Sequence, residues 1–192
     1  MDARSRRRTY LGALVAFFVV AVARLVVTVR RDGVEDAALW IALLVVALVV
    51  VVTLAVVVRR AGAVAAHVAR LRPGALVVPV FTTAETLDQA AAAGAATTGI
   101  AALGGSPAAL AVADGRVEVW VRREEAPRWV VRRVPGGVDE TRAVYGSRET
   151  PALRVSDGVA AVTVVPAYRP LRATGGMVAD DVPRAVRQIG LE

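Results

Sequence analysis

Residues 110–121 read LAVADGRVEVWV, and they decide the fold of the C-terminal part of the chain. Asp114-Gly115 is a dipeptide favoured in two-residue hairpin turns, because both central positions need positive φ. Beyond the turn, Val117, Val119 and Val121 alternate with Glu118, Trp120 and Arg122. That period of two is the mark of a strand with one dry face. The stretch therefore predicts a β-hairpin of a water-facing domain, although the first third of the same chain is dominated by long apolar runs.

Working outward, short β-rich runs recur between turn signals. ALVVPVF (75–81) is a first strand, with Pro79 marking an edge or bulge. TTAETLDQAAAAG (82–94) reads as a short helix, with Thr82 and Glu85 as a capping box and Gly94 as the stop. AATTGIAALGGSP (95–107) is a loop, broken by glycine and proline. RWVVRRV (128–134) and ETRAVYG (140–146) are further strands. PALRVSDGVAAVTVVP (151–166) repeats the hairpin device around Asp157-Gly158, which makes seven strands. The tail ADDVPRAVRQIGLE is helical, with Asp180 or Asp181 as cap. Its stripe of Val182, Ala185, Val186 and Ile189 must be buried against another element.

This order is one strand, an inserted helix, six strands in hairpins and a closing helix. It resembles a bacterial pleckstrin-homology-like domain over roughly residues 73–190. The residues that carry the resemblance are ADGRVEVW, RVSDGVAAVTVVP and DDVPRAVRQI. It implies a curled antiparallel sheet or partly open barrel whose last helix caps one end. Lipid-binding members of that family usually carry basic residues in the first strand and in its connection to the second. Here residues 73–115 contain none, so the chain departs from that pattern.

The N-terminal part is read differently. Tyr10 to Val29 is an apolar run interrupted only by Arg24, and Ala38 to Val58 is a 21-residue run without charge. Each is long enough, as a helix, to cross a hydrocarbon core of about 30 Å. The arginines Arg4, Arg6, Arg7 and Arg8 precede the first run, and Arg59, Arg60, Arg70 and Arg72 follow the second. The connecting RRDGVEDA carries two. This asymmetry places both termini in the cytoplasm. RSRRRTYLGALVAFFVVAVAR also has the regions of a signal peptide, but the apolar run continues past Arg24, which favours a retained anchor. After Val58, RRAGAVAAHVARLRPG continues as an amphipathic helix ended by Pro73-Gly74, with Ala61, Val64, Val68 and Leu71 on one face. The layout of two anchors plus such a domain is similar to that of a type of actinobacterial membrane protein. The expected organisation is thus α+β: a two-helix transmembrane hairpin within residues 1–72 and a pleckstrin-homology-like domain over 73–192.

Charge and composition exclude several functions. Residues 1–72 hold 11 arginines against 4 acids, whereas residues 73–192 hold 13 of each. A nucleic-acid binder carries its basic footprint on the domain that reads the nucleic acid, so nucleic acid is not an expected partner. The absence of cysteine removes disulfides, thiolate metal sites and cysteine nucleophiles. His67 is the only histidine, and it sits beside the membrane segment rather than near a nucleophile. The carboxylate pairs Glu124-Glu125 and Asp139-Glu140 fall in hairpin loops, and Asp180-Asp181 looks like a cap. No catalytic residue, metal ligand or cofactor is therefore expected.

What remains is an arginine cluster with tryptophan nearby. Trp120, Arg122, Arg123, Arg132 and Arg133 form the candidate partner-docking patch, with Trp120 and Arg122 expected on one strand face. The expected function is a membrane-anchored, non-enzymatic interaction module. It would present its domain at the cytoplasmic face to another membrane or membrane-associated protein. The alternatives are a membrane-anchored hydrolase and a structural subunit of an envelope complex.

Overall fold

The computed structural model describes residues 34–190; the first apolar run, its arginines and Arg24 lie outside them. The chain divides into two compact units at Leu54 and Ala55. The helix α1 runs over Val34–Leu71. Among the described residues it is the one helix long and apolar enough to cross a membrane. Ile41, Val45, Val46 and Val49 are all exposed along it, as lipid contact would require and water would penalise.

The second unit contains seven strands: β1 Leu76–Thr82, β2 Pro107–Ala113, β3 Arg116–Val121, β4 Trp129–Arg132, β5 Val138–Tyr145, β6 Arg148–Ser156 and β7 Ala161–Pro166. Three helices accompany them: α2 Ala84–Ala92, α3 Pro170–Thr174 and α4 Asp181–Ile189. All pairings are antiparallel, in the order β4-β3-β2-β1-β7-β6-β5. β4 and β6 stand five places apart in that order yet come into contact, because the sheet curls into a half-barrel. The Arg132 backbone N–H donates to Asp157 Oδ2 at 2.9 Å, which ties the β4 edge to the β6–β7 loop.

The opening stretch folds as its residues dictate. β2 and β3 pair from Ala108↔Val121 to Ala113↔Arg116, and Asp114 and Gly115 turn with φ of 49° and 70°. Asp157-Gly158 behaves differently. Asp157 does not adopt positive φ, and the loop between β6 and β7 has four residues. Asp157 Oδ1 instead accepts the N–H groups of Val159 and Ala160 at 2.9 and 2.7 Å, so the side chain organises a wider turn. Between β5 and β6 the tight turn is Gly146-Ser147, so β6 starts at Arg148 and not at the expected 151, while β5 starts at Val138, two residues before the expected 140. Asp139 and Glu140 consequently lie within β5 and not in a hairpin loop.

Pro79 marks neither an edge nor a bulge: β1 is the central strand and pairs with β2 residue for residue through Pro79↔Ala109. Pairing of β1 with β7 begins only at Val80, so the missing proline N–H falls outside that ladder. The cap of α2 is also shifted by one residue from the expected Thr82–Glu85 box. The Thr83 N–H donates to Thr86 Oγ1 at 2.8 Å, while Glu85 Oε1 accepts the Val144 N–H of the β5 edge at 3.0 Å. Where β1 leaves β7, side chains of this helical segment replace the missing strand. Thr83 Oγ1 donates to the Thr163 carbonyl at 2.9 Å, and the Thr163 N–H donates to Gln89 Oε1 at 2.6 Å. The mid-strand backbone groups of β7 are thereby satisfied in a buried position.

The main core joins Val80, Leu110, Val119, Trp129, Leu153 and Val164 to Ala185 and Ile189 of α4. A second cluster joins Phe81, Tyr145, Val165 and Val182. Helix α4 thus buries the expected stripe, with Val182, Ala185 and Ile189 essentially inaccessible. Asp181 does not cap it. Its carboxylate pairs with Arg169, Oδ1 to Nη2 at 2.7 Å, just before the short helix α3 that the sequence pattern did not announce.

Candidate functional site

The end of α1 is part of the sheet domain. Val64 and Val68 are buried against Ala109 and Ala111 of β2 and Trp120 of β3. The alanines matter here, because side chains that short let a helix approach the outer face of a sheet. β3 is consequently dry on both faces, which its alternating pattern did not foretell. Glu118, expected on a solvated face, is only 2% exposed.

A buried carboxylate needs partners, and Glu118 has three. Arg72 Nε donates to its Oε2 at 2.9 Å, the Trp120 indole N–H donates to the same oxygen at 3.2 Å, and Arg116 Nη2 lies 3.3 Å from Oε1. The Arg72 guanidinium also lies over the Trp120 ring, 5.1 Å from its centroid. Arg72 directly follows α1, so this cluster fastens the helix end to β3. One turn earlier, His67 Nε2 donates to the Glu124 carbonyl at 3.0 Å. The Glu124 carboxylate is held by Arg128, whose Nη1 donates to the Ala96 carbonyl at 2.7 Å. Helix, β3–β4 loop and the β1–β2 connection are thus linked in series. His67 and Glu124 have structural work in this linkage, and among the described residues no three histidine or acidic side chains gather as a metal site would need.

Beside this linkage lies a cleft of about 500 Å³. Arg60 and Val64 of α1 form one wall, Gly99 and Ser106 of the β1–β2 connection a second, and Arg122 and Arg123 after β3 the third. Arg122 has φ of 62°, a left-handed conformation uncommon outside glycine. It breaks the strand alternation, so Arg122 does not continue the face of Trp120. Its guanidinium occupies the space in front of Gly99, where an added Cβ would collide with Nε. Among the described residues, no carboxylate lies within salt-bridge distance of Arg60, Arg122 or Arg123.

The five patch residues therefore fall into four different environments. Trp120 is fully buried beneath α1 and offers a partner no surface. Arg122 and Arg123 are exposed and line the cleft. Arg132 is exposed on β4, opposite Arg116 of β3. Arg133 donates from Nε to the Ile189 carbonyl at 2.8 Å and from Nη2 to the Gly190 carbonyl at 2.9 Å. It thereby satisfies carbonyls at the end of α4 that the helix leaves without partners. Sequence reasoning missed Arg60, Gly99 and Glu118. The only advance signal for Glu118 was its shared strand parity with Trp120.

Fold and site together define a curled antiparallel half-barrel with a C-terminal helix, joined to a helix capable of crossing a membrane. No family model, curated protein or solved structure matches the chain.

Proposed function

We propose that this chain is a membrane-anchored, non-enzymatic interaction module whose pleckstrin-homology-like domain faces the cytoplasm. The observation that carries the reading is the double role of α1. The helix with the length and apolarity of a span ends in residues that form part of the domain's own packing, through Val64, Val68 and the Arg72–Glu118 pair. A domain built onto its tether is confined near the bilayer, where weak contacts with membrane proteins gain from effective concentration. The strand order, with one helix inserted after β1 and another closing the chain, supports the pleckstrin-homology-like reading. The two apolar runs support a multi-pass topology, and their arginines, four before, two between and four after, support a cytoplasmic domain.

Exposed Arg123 and Arg132 are the members of the arginine cluster free to meet a protein partner without dismantling the fold. In-cell photo-crosslinking from a residue beside Arg123 tests this. A defined membrane-protein adduct is expected, reduced several-fold by Arg123→Glu with Arg132→Glu. An adduct pattern indifferent to both charge reversals would remove the assignment. A reporter fused after Glu192 reads the side of the membrane, and activity on the outer side would refute the topology.

A further inference from the structure

We infer that the cleft between α1 and the β3–β4 loop is a binding site for a phosphate-bearing anion, supplied by an anionic membrane lipid. Three guanidiniums, those of Arg60, Arg122 and Arg123, line one cleft of about 500 Å³, and among the described residues no carboxylate lies within salt-bridge distance of any of them. Arg72, Arg116, Arg128, Arg142 and Arg169 of the same domain do pair with acids, and what sets the cleft apart is that three unpaired guanidiniums converge on one concave space. Like charges gathered in one cleft repel one another, and an anion relieves that repulsion.

The cleft has a built wall. Arg122 is held in a left-handed backbone conformation that turns its side chain toward Gly99, and Gly99 alone leaves room for the guanidinium there. Backbone outliers of this kind gather at ligand clamps. Planar guanidinium forks match phosphate oxygens in bidentate fashion. Three of them exceed what one carboxylate would balance. Position selects the source. Arg60 stands two residues after Val58, the end of the charge-free run, where a helix leaves hydrocarbon for the headgroup layer. Basic residues at that depth attract anionic lipid. Val64 and Pro107 add apolar wall for the glycerol end of a headgroup. This inference needs no protein partner, and although Arg123 serves both readings, Arg60, Arg122 and Gly99 belong to the anion site alone.

The test uses the full chain in neutral detergent with three probes: short-chain phosphatidylglycerol, short-chain phosphatidylcholine and inorganic phosphate. Native mass spectrometry counts adducts, and the melting temperature gives the half-saturating concentration. Phosphatidylglycerol should bind at least fivefold more tightly than phosphatidylcholine. Arg122→Gln with Arg123→Gln should weaken it about tenfold by removing two bidentate partners. Arg142→Gln, on exposed β5, should leave it unchanged. Gly99→Ala is the decisive variant, because it displaces the Arg122 guanidinium while keeping every charge. It should weaken binding several-fold, whereas mere attraction to net positive charge would not notice it. If Gly99→Ala fails to melt cooperatively, Arg60→Gln on exposed helix carries the same expectation. Tighter binding of inorganic phosphate than of the lipid, still lost in these variants, would keep the anion site and overturn the lipid source. Equal response to both lipids with none to phosphate, or indifference to the arginine variants, would overturn the site itself.

Discussion

At the scale of the residue, Glu118 shows how far one side chain can depart from its pattern. Its placement on β3 follows strand parity, but its burial follows from α1, which covers that face. The three partners of its carboxylate are unequal. Arg72 approaches at 2.9 Å and stacks on Trp120, whereas Arg116 lies at 3.3 Å with a side chain 48% exposed. Arg72→Met should therefore destabilise the chain more than Arg116→Met. Because Arg72 itself reaches solvent, the loss is discounted to about 1–3 kcal/mol. Denaturation of the full chain, followed by tryptophan fluorescence, measures both. An equal effect would show that stacking and distance do not set the strength of the cluster.

Asp157 gives a residue-scale test in pH. The N–H groups of Ala160, Arg132 and Val159 hold its carboxyl below the ordinary aspartate value of 3.8. A carboxylate whose pKa is depressed by folding contributes stability above the unfolded value, and loses it as pH falls through the folded one. Asp157→Asn should accordingly be less stable than the native chain at neutral pH. The gap should close below about pH 3.8, as the native aspartate takes up its proton. Melting curves of the two proteins between neutral and acid pH follow the convergence. A gap constant across that range would mean the turn is held by shape rather than charge.

At the scale of the element, hairpins were the most readable part of the sequence. Asp114-Gly115 specifies its turn locally, through two residues that tolerate positive φ, and nothing distant is needed to read it. Asp157-Gly158 looks alike but serves a four-residue loop, because its side chain is recruited by β4, far along the chain. The stripe of α4 was legible for the same local reason, while α3 and the Asp181–Arg169 pair depend on partners that periodicity cannot see. Ile189→Ala should cost about 2–5 kcal/mol, the range for emptying a well-packed aliphatic site. Removal of residues 180–192 should abolish the cooperative melt, and a truncated chain that still unfolds cooperatively would show the sheet to be self-sufficient. The segment around α2 is an element of unusual duty, since its side chains bond to β7 where β1 has ended. Gln89→Leu leaves the buried Thr163 N–H without its acceptor, a loss of about 1–3 kcal/mol. Hydrogen exchange at Thr163 reads this directly and should quicken in the variant.

At the scale of the whole molecule, the division into apolar helix and β-rich domain was visible in composition alone. The second apolar run proved helical and continuous to Leu71, and the seven strands fell near their expected places. The site was far less legible. Arg60 and Gly99 are separated from Arg122 by long stretches of chain, and only the curl of the sheet and the docking of α1 bring the three to one cleft. No spacing rule could reveal that. The membrane reading is tested by alkaline extraction of cells expressing the full chain. The protein should remain with the bilayer, and recovery in the aqueous fraction would refute a spanning α1.

The docking of α1 also bears on how the molecule can be divided. A fragment starting at Pro73 would strip the cover from Trp120, Ala109 and Ala111 and leave Glu118 facing water without Arg72. Such a fragment would expose a greasy scar and stick to its own copies, whereas one starting near Arg59 would keep the scar sealed. Tether and globule here share a seam, and only a cut upstream of that seam yields a soluble half.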